Sequence, residues 1–131
     1  IAVCKPGMPY SGSDATARRV INRGLIALGI AANDMEARRY FPHGTSHHLG
    51  LDVHDLGIRG NMPFEPGMYL TVEPGIYIPP GSKCDPKWWS IGVRIEDDIL
   101  ITKEGNRNLS AGAPRTVAEI EKLAKAKTIF N

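Results

Sequence analysis

The chain has little of several things, and each scarcity narrows what it can be. It has only two cysteines in 131 residues, Cys4 and Cys84, far apart and with no C-x-x-C spacing. That leaves no cysteine framework for a zinc knuckle or a disulfide scaffold. Two free thiols in a reducing cytoplasm are the expectation. There is no excess of one charge. The net value of +2 excludes a strongly basic nucleic-acid footprint and an acidic solvating tail. There is no long hydrophobic run either. The longest apolar stretch, from Gly24 to Ala32, is far too short to span a bilayer, and no signal-peptide pattern precedes it. Neither nucleic acid nor membrane is expected as a partner. Internal repeats and low-complexity tracts are absent. The chain starts at Ile1, directly in an apolar-basic stretch, which suggests a fragment or a processed chain.

What is present is a globular composition, 42% hydrophobic and 23% charged. Apolar residues from Ala15 to Leu28 recur at mostly helical spacing. Ser11-x-x-Asp14 is the expected start signal and Gly29 the expected end. A short helical piece is expected within Ala31 to Arg39. A Pro/Gly-rich loop follows from Gly57 to Gly67. Met68 to Glu73 and Gly75 to Ile78 read as strands, interrupted by Pro74. Pro79 to Trp89 reads as a loop, whose Trp88-Trp89 pair is either a binding surface or a packed anchor. Ile91 to Thr102 reads as one further strand region, with Val93, Ile95, Ile99 and Ile101 alternating. A turn is expected at Glu104-Gly105-Asn106. Thr116-x-x-Glu119 is a capping box opening a last helix. The order implies an α+β fold with a mainly antiparallel sheet.

The chemistry concentrates in one region. All four histidines lie within the twelve residues from His43 to His54, interleaved with Asp52 and Asp55. Glu73 and Glu96 follow in two later segments. One imidazole and two carboxylates form a metal-ligand set whose oxygen bias suits Mn, Fe or Co. His43 and His47 are four apart, but Gly44 stands where a zinc-protease helix needs its Glu, so that reading fails. His47 is the ligand candidate. His43 and His54 read as outer-shell or proton-handling groups. His48, on extended backbone, points away from His47. Glu73 is either a solvent-facing turn residue or a carboxylate paired with metal. Glu96 shares a strand face with Arg94, as a surface ladder or as a ligand beside a cation. Asp97 and Asp98 are expected in a bulge or turn. Lys103, Arg107, Arg115 and the last helix's lysines are expected in solvent.

Together, His43-Gly-Thr-Ser-His-His-Leu-Gly-Leu-Asp-Val-His-Asp55, Glu65-Pro-Gly-Met-Tyr-Leu-Thr-Val-Glu-Pro-Gly-Ile-Tyr-Ile78, Gly92-Val-Arg-Ile-Glu-Asp-Asp98 and Pro114-Arg-Thr-Val-Ala-Glu-Ile-Glu121 resemble a known family. It is the Xaa-Pro aminopeptidase and prolidase branch of the pita-bread metallopeptidases, and the resemblance is to the C-terminal half of the catalytic domain. It implies a partial pita-bread fold, a curved antiparallel sheet with flanking helices, over residues 1–131. It implies two divalent ions, Mn²⁺ by preference with Co²⁺ or Zn²⁺ as alternatives, ligated by His47, Glu73 and Glu96. It implies substrate-side roles for His43 and His54, support of the carboxylates by Arg94, and a further role for Glu73 in handling the attacking water. The implied substrate is a peptide with proline second. The family's two upstream Asp ligands have no counterpart here. Asp14-Ala-Thr-Ala-Arg18 looks superficially like one of those motifs but falls in the helix that follows it. The expectation is therefore a chain inactive alone, associating with an upstream segment or with itself. Prolidase and a non-catalytic peptide-binding module are the alternatives.

Overall fold

The computed structural model describes residues 1–57 and 60–126. The loop expected from Gly57 to Gly67 therefore falls partly outside the described residues, as do the last five positions.

Helix α1 spans Ser11–Ala27. It begins earlier than expected, and no side chain caps its start. Ser11 is helical, and Asp14 turns sideways to bond Arg18 and Thr45 instead. The end is as expected. Gly29 has φ +69°, its N–H donates to the Ile26 carbonyl at 3.0 Å, and the Ile30 N–H donates to that of Leu25 at 2.9 Å. This paired termination needs a left-handed residue, and Ile30 closes it by packing in the same apolar cluster as Leu25. Gly29→Ala should therefore destabilise the fold by about 1–2 kcal/mol, the steric cost of a Cβ in that region. Chemical denaturation reads it. The short helix α2, Asp34–Ala37, is capped by Asn33, which accepts from the Glu36 N–H at 3.0 Å.

The strands form one interrupted antiparallel ribbon. β1 (Tyr69–Val72) pairs with β4 (Asp97–Thr102), and β2 (Gly75–Ile78) with β3 (Ile91–Arg94). Val72 faces Asp97 on one side of the break and Gly75 faces Arg94 on the other. The register is the same on both sides, so Glu73 and Glu96 oppose each other at the interruption. Pro74 supplies the cause, because it has no N–H for the ladder. The stretch Ile91 to Thr102 is thus two strands rather than one. Asp97 and Asp98 lie in β4, not in a turn. β5 (Gly105–Asn108) completes the three-stranded sheet β1-β4-β5. Gly105 and Asn106 are strand residues, and the tight turn is Lys103-Glu104.

Two apolar clusters flank the break. Cys4, Tyr10, Phe64, Leu70, Val72, Ile99 and Ile101 pack on the β1-β4 side. Leu25, Ile30, Ala31, Ala37, Tyr40 and Ile78 pack on the β2-β3 side, with Trp88, Trp89 and Ile91 against them. Trp89 also donates its indole N–H to the Ser82 carbonyl at 3.0 Å, so the tryptophans anchor their loop. Cys4 and Cys84 are both free. Burial raises the Cys4 thiol above its ordinary pKa, which keeps it protonated and inert.

Helix α3 (Val117–Ala124) opens on the expected capping box. The Glu119 carboxylate accepts from the Thr116 N–H at 2.9 Å, and this bond above all holds its pKa below the ordinary glutamate value. Its apolar face is not covered. Val117, Ile120 and Leu123 are exposed, and the first two line, with Val93 and Ile95, an open groove. The alternating apolar positions therefore split: Ile99 and Ile101 are core, whereas Val93 and Ile95 are not.

Candidate metal centre

Three separated segments meet at the ribbon break. The segment from Thr45 to Leu49 runs alongside β1. The Thr71 N–H donates to the His47 carbonyl at 2.9 Å, and the Glu73 N–H to the Thr45 carbonyl at 2.7 Å. The Thr71 hydroxyl oxygen accepts from the His47 N–H at 3.1 Å. Extended backbone here puts His47 and His48 on opposite faces. His47 turns toward Glu73. His48 stacks on Tyr10 at 5.3 Å between ring centroids.

The His47 ring is oriented by its own backbone. Nδ1 lies 2.9 Å from the His48 carbonyl oxygen, which can only accept, so Nδ1 carries the proton. In the neutral ring Nε2 then has the lone pair, and it faces Glu73 Oε1 at 3.2 Å and Glu96 Oε1 at 3.9 Å. One donor atom from each of the three side chains lies within 4.8 Å of the other two, and among the described residues this is the one such group. His47 and Glu73 are buried, and Glu96 is more open. Three lone-pair atoms aimed at a common point repel unless positive charge sits among them. A nitrogen and two carboxylates at this spacing fit a divalent ion of the Mn, Fe, Co or Zn type. The orienting bond on the far ring nitrogen is the usual partner of a metal-binding imidazole.

Charge and access are also set. Glu73 Oε1 accepts from the Thr71 hydroxyl at 3.3 Å, and its Oε2 faces Arg94 Nε at 3.6 Å. His47 and Glu73 open into a cleft of about 490 Å³, lined also by His43, Gly44, Ser46, His54 and Arg94. The His54 ring stands edge-on to that of His47, 4.8 Å between centroids. His43 donates from Nδ1 to the Gly44 carbonyl at 2.8 Å, and its Nε2 meets the Tyr77 hydroxyl at 3.0 Å.

Residues 1–103 match the model of metallopeptidase family M24. The chain belongs to that family. It is 43% identical over 132 residues to an Xaa-Pro aminopeptidase of Escherichia coli strain K12, covering 93% of this chain and 30% of the relative. Among solved structures it superposes on the proline aminopeptidase P II of Yersinia pestis with a TM-score of 0.81 and 42% identity, over 93% of this chain and 30% of that one. Aminopeptidase P from E. coli with the inhibitor Pro-Leu gives the same TM-score, identity and coverage. The fold is thus the α+β pita-bread arrangement of these structures. The chain spans about 30% of the length of the relatives it matches.

In this M24 chain, every candidate from the sequence lies at one cleft or its rim. His47, Glu73 and Glu96 converge, and His43, His54 and Arg94 surround them. Asp52 and Asp55 are not in the ligand group. Tyr77 is the residue that pattern reading overlooked. Strand alternation could have found it, since it lies two positions beyond Gly75 in the segment that follows Glu73. Its hydroxyl occupies space that a Cβ on Gly75 would invade at 2.7 Å. Arg115 was also misjudged. It is only partly exposed and bonds the buried Asp97 at 2.9 Å.

Proposed function

We propose that the chain is the C-terminal portion of an Xaa-Pro aminopeptidase catalytic domain, which hydrolyses the bond between an N-terminal residue and a following proline. The observation that carries this reading is the meeting of His47, Glu73 and Glu96 at the ribbon break of an M24 chain. These three residues would hold two divalent ions, Mn²⁺ by preference, with two aspartates from an upstream segment completing the set. When bound, the ions supply Lewis acidity toward the scissile carbonyl and an activated water near neutral pH.

The chain's own residues supply binding and proton handling. Glu73 is the buried carboxylate next to the reacting position and accepts the water's proton. Arg94 holds the other oxygen of that carboxylate in place. His43 and His54, on the substrate side of the cleft, position the peptide and pass protons at their ring nitrogens. The free thiols suit a reducing compartment, and the cytoplasm is the proposed location. The uncovered groove at α3, the exposed Val20 of α1 and the exposed Leu28 just past its end favour association, with the upstream segment or as a homo-oligomer.

The test uses a tripeptide and a dipeptide, each with proline second, with Mn²⁺ added. The intact protein, including the upstream segment, should cleave the tripeptide and lose that activity in His47→Ala. The 131-residue chain alone should cleave neither. Cleavage by the isolated chain, abolished by Glu96→Ala, would show that three ligands suffice. Activity confined to the dipeptide would make the protein a prolidase. Intact protein without bound metal would make it a binding module.

A further inference from the structure

The segment that carries His43 and His47 belongs to no helix or strand before it reaches β1. Something must set its height over the cleft. On the β1 side it is held by the backbone bonds already described. On the other side it is held by α1, through two residues that the metal site does not use. Arg18 spreads its guanidinium over three acceptors. Nε donates to Asp14 Oδ2 at 2.7 Å, one terminal nitrogen donates to the Phe41 carbonyl at 3.0 Å, and the other donates to the His43 carbonyl at 2.8 Å. The same guanidinium lies 4.7 Å from the centre of the Phe41 ring, which is buried and meets the His43 ring edge-on at 5.0 Å. The remaining Asp14 oxygen accepts from the Thr45 hydroxyl at 3.0 Å. Thr45 in turn accepts the Glu73 N–H at its carbonyl.

We propose that Arg18, seated by Asp14, is a positioning residue for the metal cleft: its forked bonds to the Phe41 and His43 carbonyls, with the Asp14–Thr45 bond, set the loop so that His47 faces Glu73 and His43 lines the cleft. The inference rests on the metal-centre reading of that cleft. The geometry explains why arginine stands there. Two carbonyls two residues apart, one carboxylate and one aromatic face are met by a single planar group with five donors. A lysine at this place can satisfy the charge of Asp14 but cannot span both carbonyls. The line from α1 to the ligands is continuous: Arg18 to the His43 backbone, and Asp14 through Thr45 to the Glu73 backbone.

The experiment follows the imidazole resonances of His43, His47 and His54 in ¹H–¹⁵N spectra of the full chain, first without metal and then through a Mn²⁺ titration. Wild type should show one set of signals, with His47 broadened first by Mn²⁺. Arg18→Lys and Arg18→Met should shift or double the His43 and His47 signals before metal is added. They should raise the Mn²⁺ concentration that broadens His47 by roughly 10-fold, the lower range for outer-shell partners. Arg19→Met, at the exposed neighbour, should change neither. Wild-type signals and midpoint in Arg18→Lys overturn the proposal, because charge alone would then suffice. Should the Arg18 variants fail to fold, Thr45→Val decides. It removes only the hydroxyl, and an unmoved His47 signal overturns the proposal equally. A wild-type chain in which Mn²⁺ leaves His47 untouched contradicts the metal reading instead, and the metal-free spectra still judge the brace.

Discussion

Exchanging Glu96 for glutamine should abolish Mn²⁺ binding at the cleft, and Glu73→Gln should come close to doing the same. Glutamine keeps the shape and one carbonyl oxygen but removes the charge, and hard divalent ions are held chiefly by charged oxygen. The loss should exceed about 100-fold in apparent affinity, the upper end for partners that only support a ligand. Both carboxylates belong to the converging set, so both losses are of this order. Glu73→Gln has a second consequence. It leaves Arg94 without the carboxylate it faces at 3.6 Å. His54→Ala is the contrasting variant. It removes a ring beside His47 but no donor of the converging set, so Mn²⁺ should still bind. Calorimetric titration with Mn²⁺ reads all three. Equal affinity in wild type and Glu96→Gln would remove Glu96 from the ligand set.

How much of this was legible in the residues depends on where the cause of each feature lies. The candidate ligands were readable because their chemistry is unusual for their place: a carboxylate ending an apolar strand, another amid alternating apolar residues, and clustered histidines. Pro74 marked one half of the ribbon break. The other half, Ile95-Glu96, carries no proline or glycine. Its interruption is imposed across the ladder by the missing Pro74 N–H, which is a tertiary cause. β5 was unreadable for a related reason. Gly-Asn-Arg-Asn has no β-branched residue, yet it pairs because the β4 edge needs a partner and its asparagines find long-range acceptors. Asn106 donates to the Cys4 carbonyl at 2.9 Å and Asn108 to Asp97 at 2.9 Å. The α1 stripe was half right. Leu25 is core, whereas Val20 and Leu28 are exposed, because helical spacing reports which residues share a face but not whether a neighbour covers it.

Arg18 and Arg115 make the same point from the side of charge. Arg18 stands beside Arg19 and near Arg23 in α1, and Arg115 precedes the last helix at a place where a solvated side chain was expected. Each nonetheless spends its guanidinium on backbone carbonyls and a carboxylate. No local pattern separates such an arginine from its neighbours. What separates them is the distant partner: the Phe41 and His43 carbonyls, 23 and 25 residues away, for Arg18, and Asp97, 18 residues away, for Arg115. In both cases the arginine ties an element to the stretch that carries a ligand.

Arg115→Met should be the most destabilising of the charge changes, by about 3 kcal/mol in urea denaturation, the lower end for breaking a buried pair. Asp97 is only 6% exposed and lies in the strand immediately after Glu96. Its Oδ1 accepts from Asn108 at 2.9 Å and from the Ser110 hydroxyl at 3.0 Å, and among the described residues Arg115 supplies the one full positive charge paired with it. Methionine fills the aliphatic volume but leaves that carboxylate uncompensated. The lower end applies because Arg115 keeps about a third of its surface in water, at 31%. Asp97→Asn should cost less, about 1–2 kcal/mol, since the freed guanidinium can turn to solvent while the amide keeps an acceptor for Ser110. The asymmetry is the test. Combining the two changes should cost clearly less than the sum of the singles, because the second removes the buried charge that the first exposed. Additive losses would mean that the two side chains act independently.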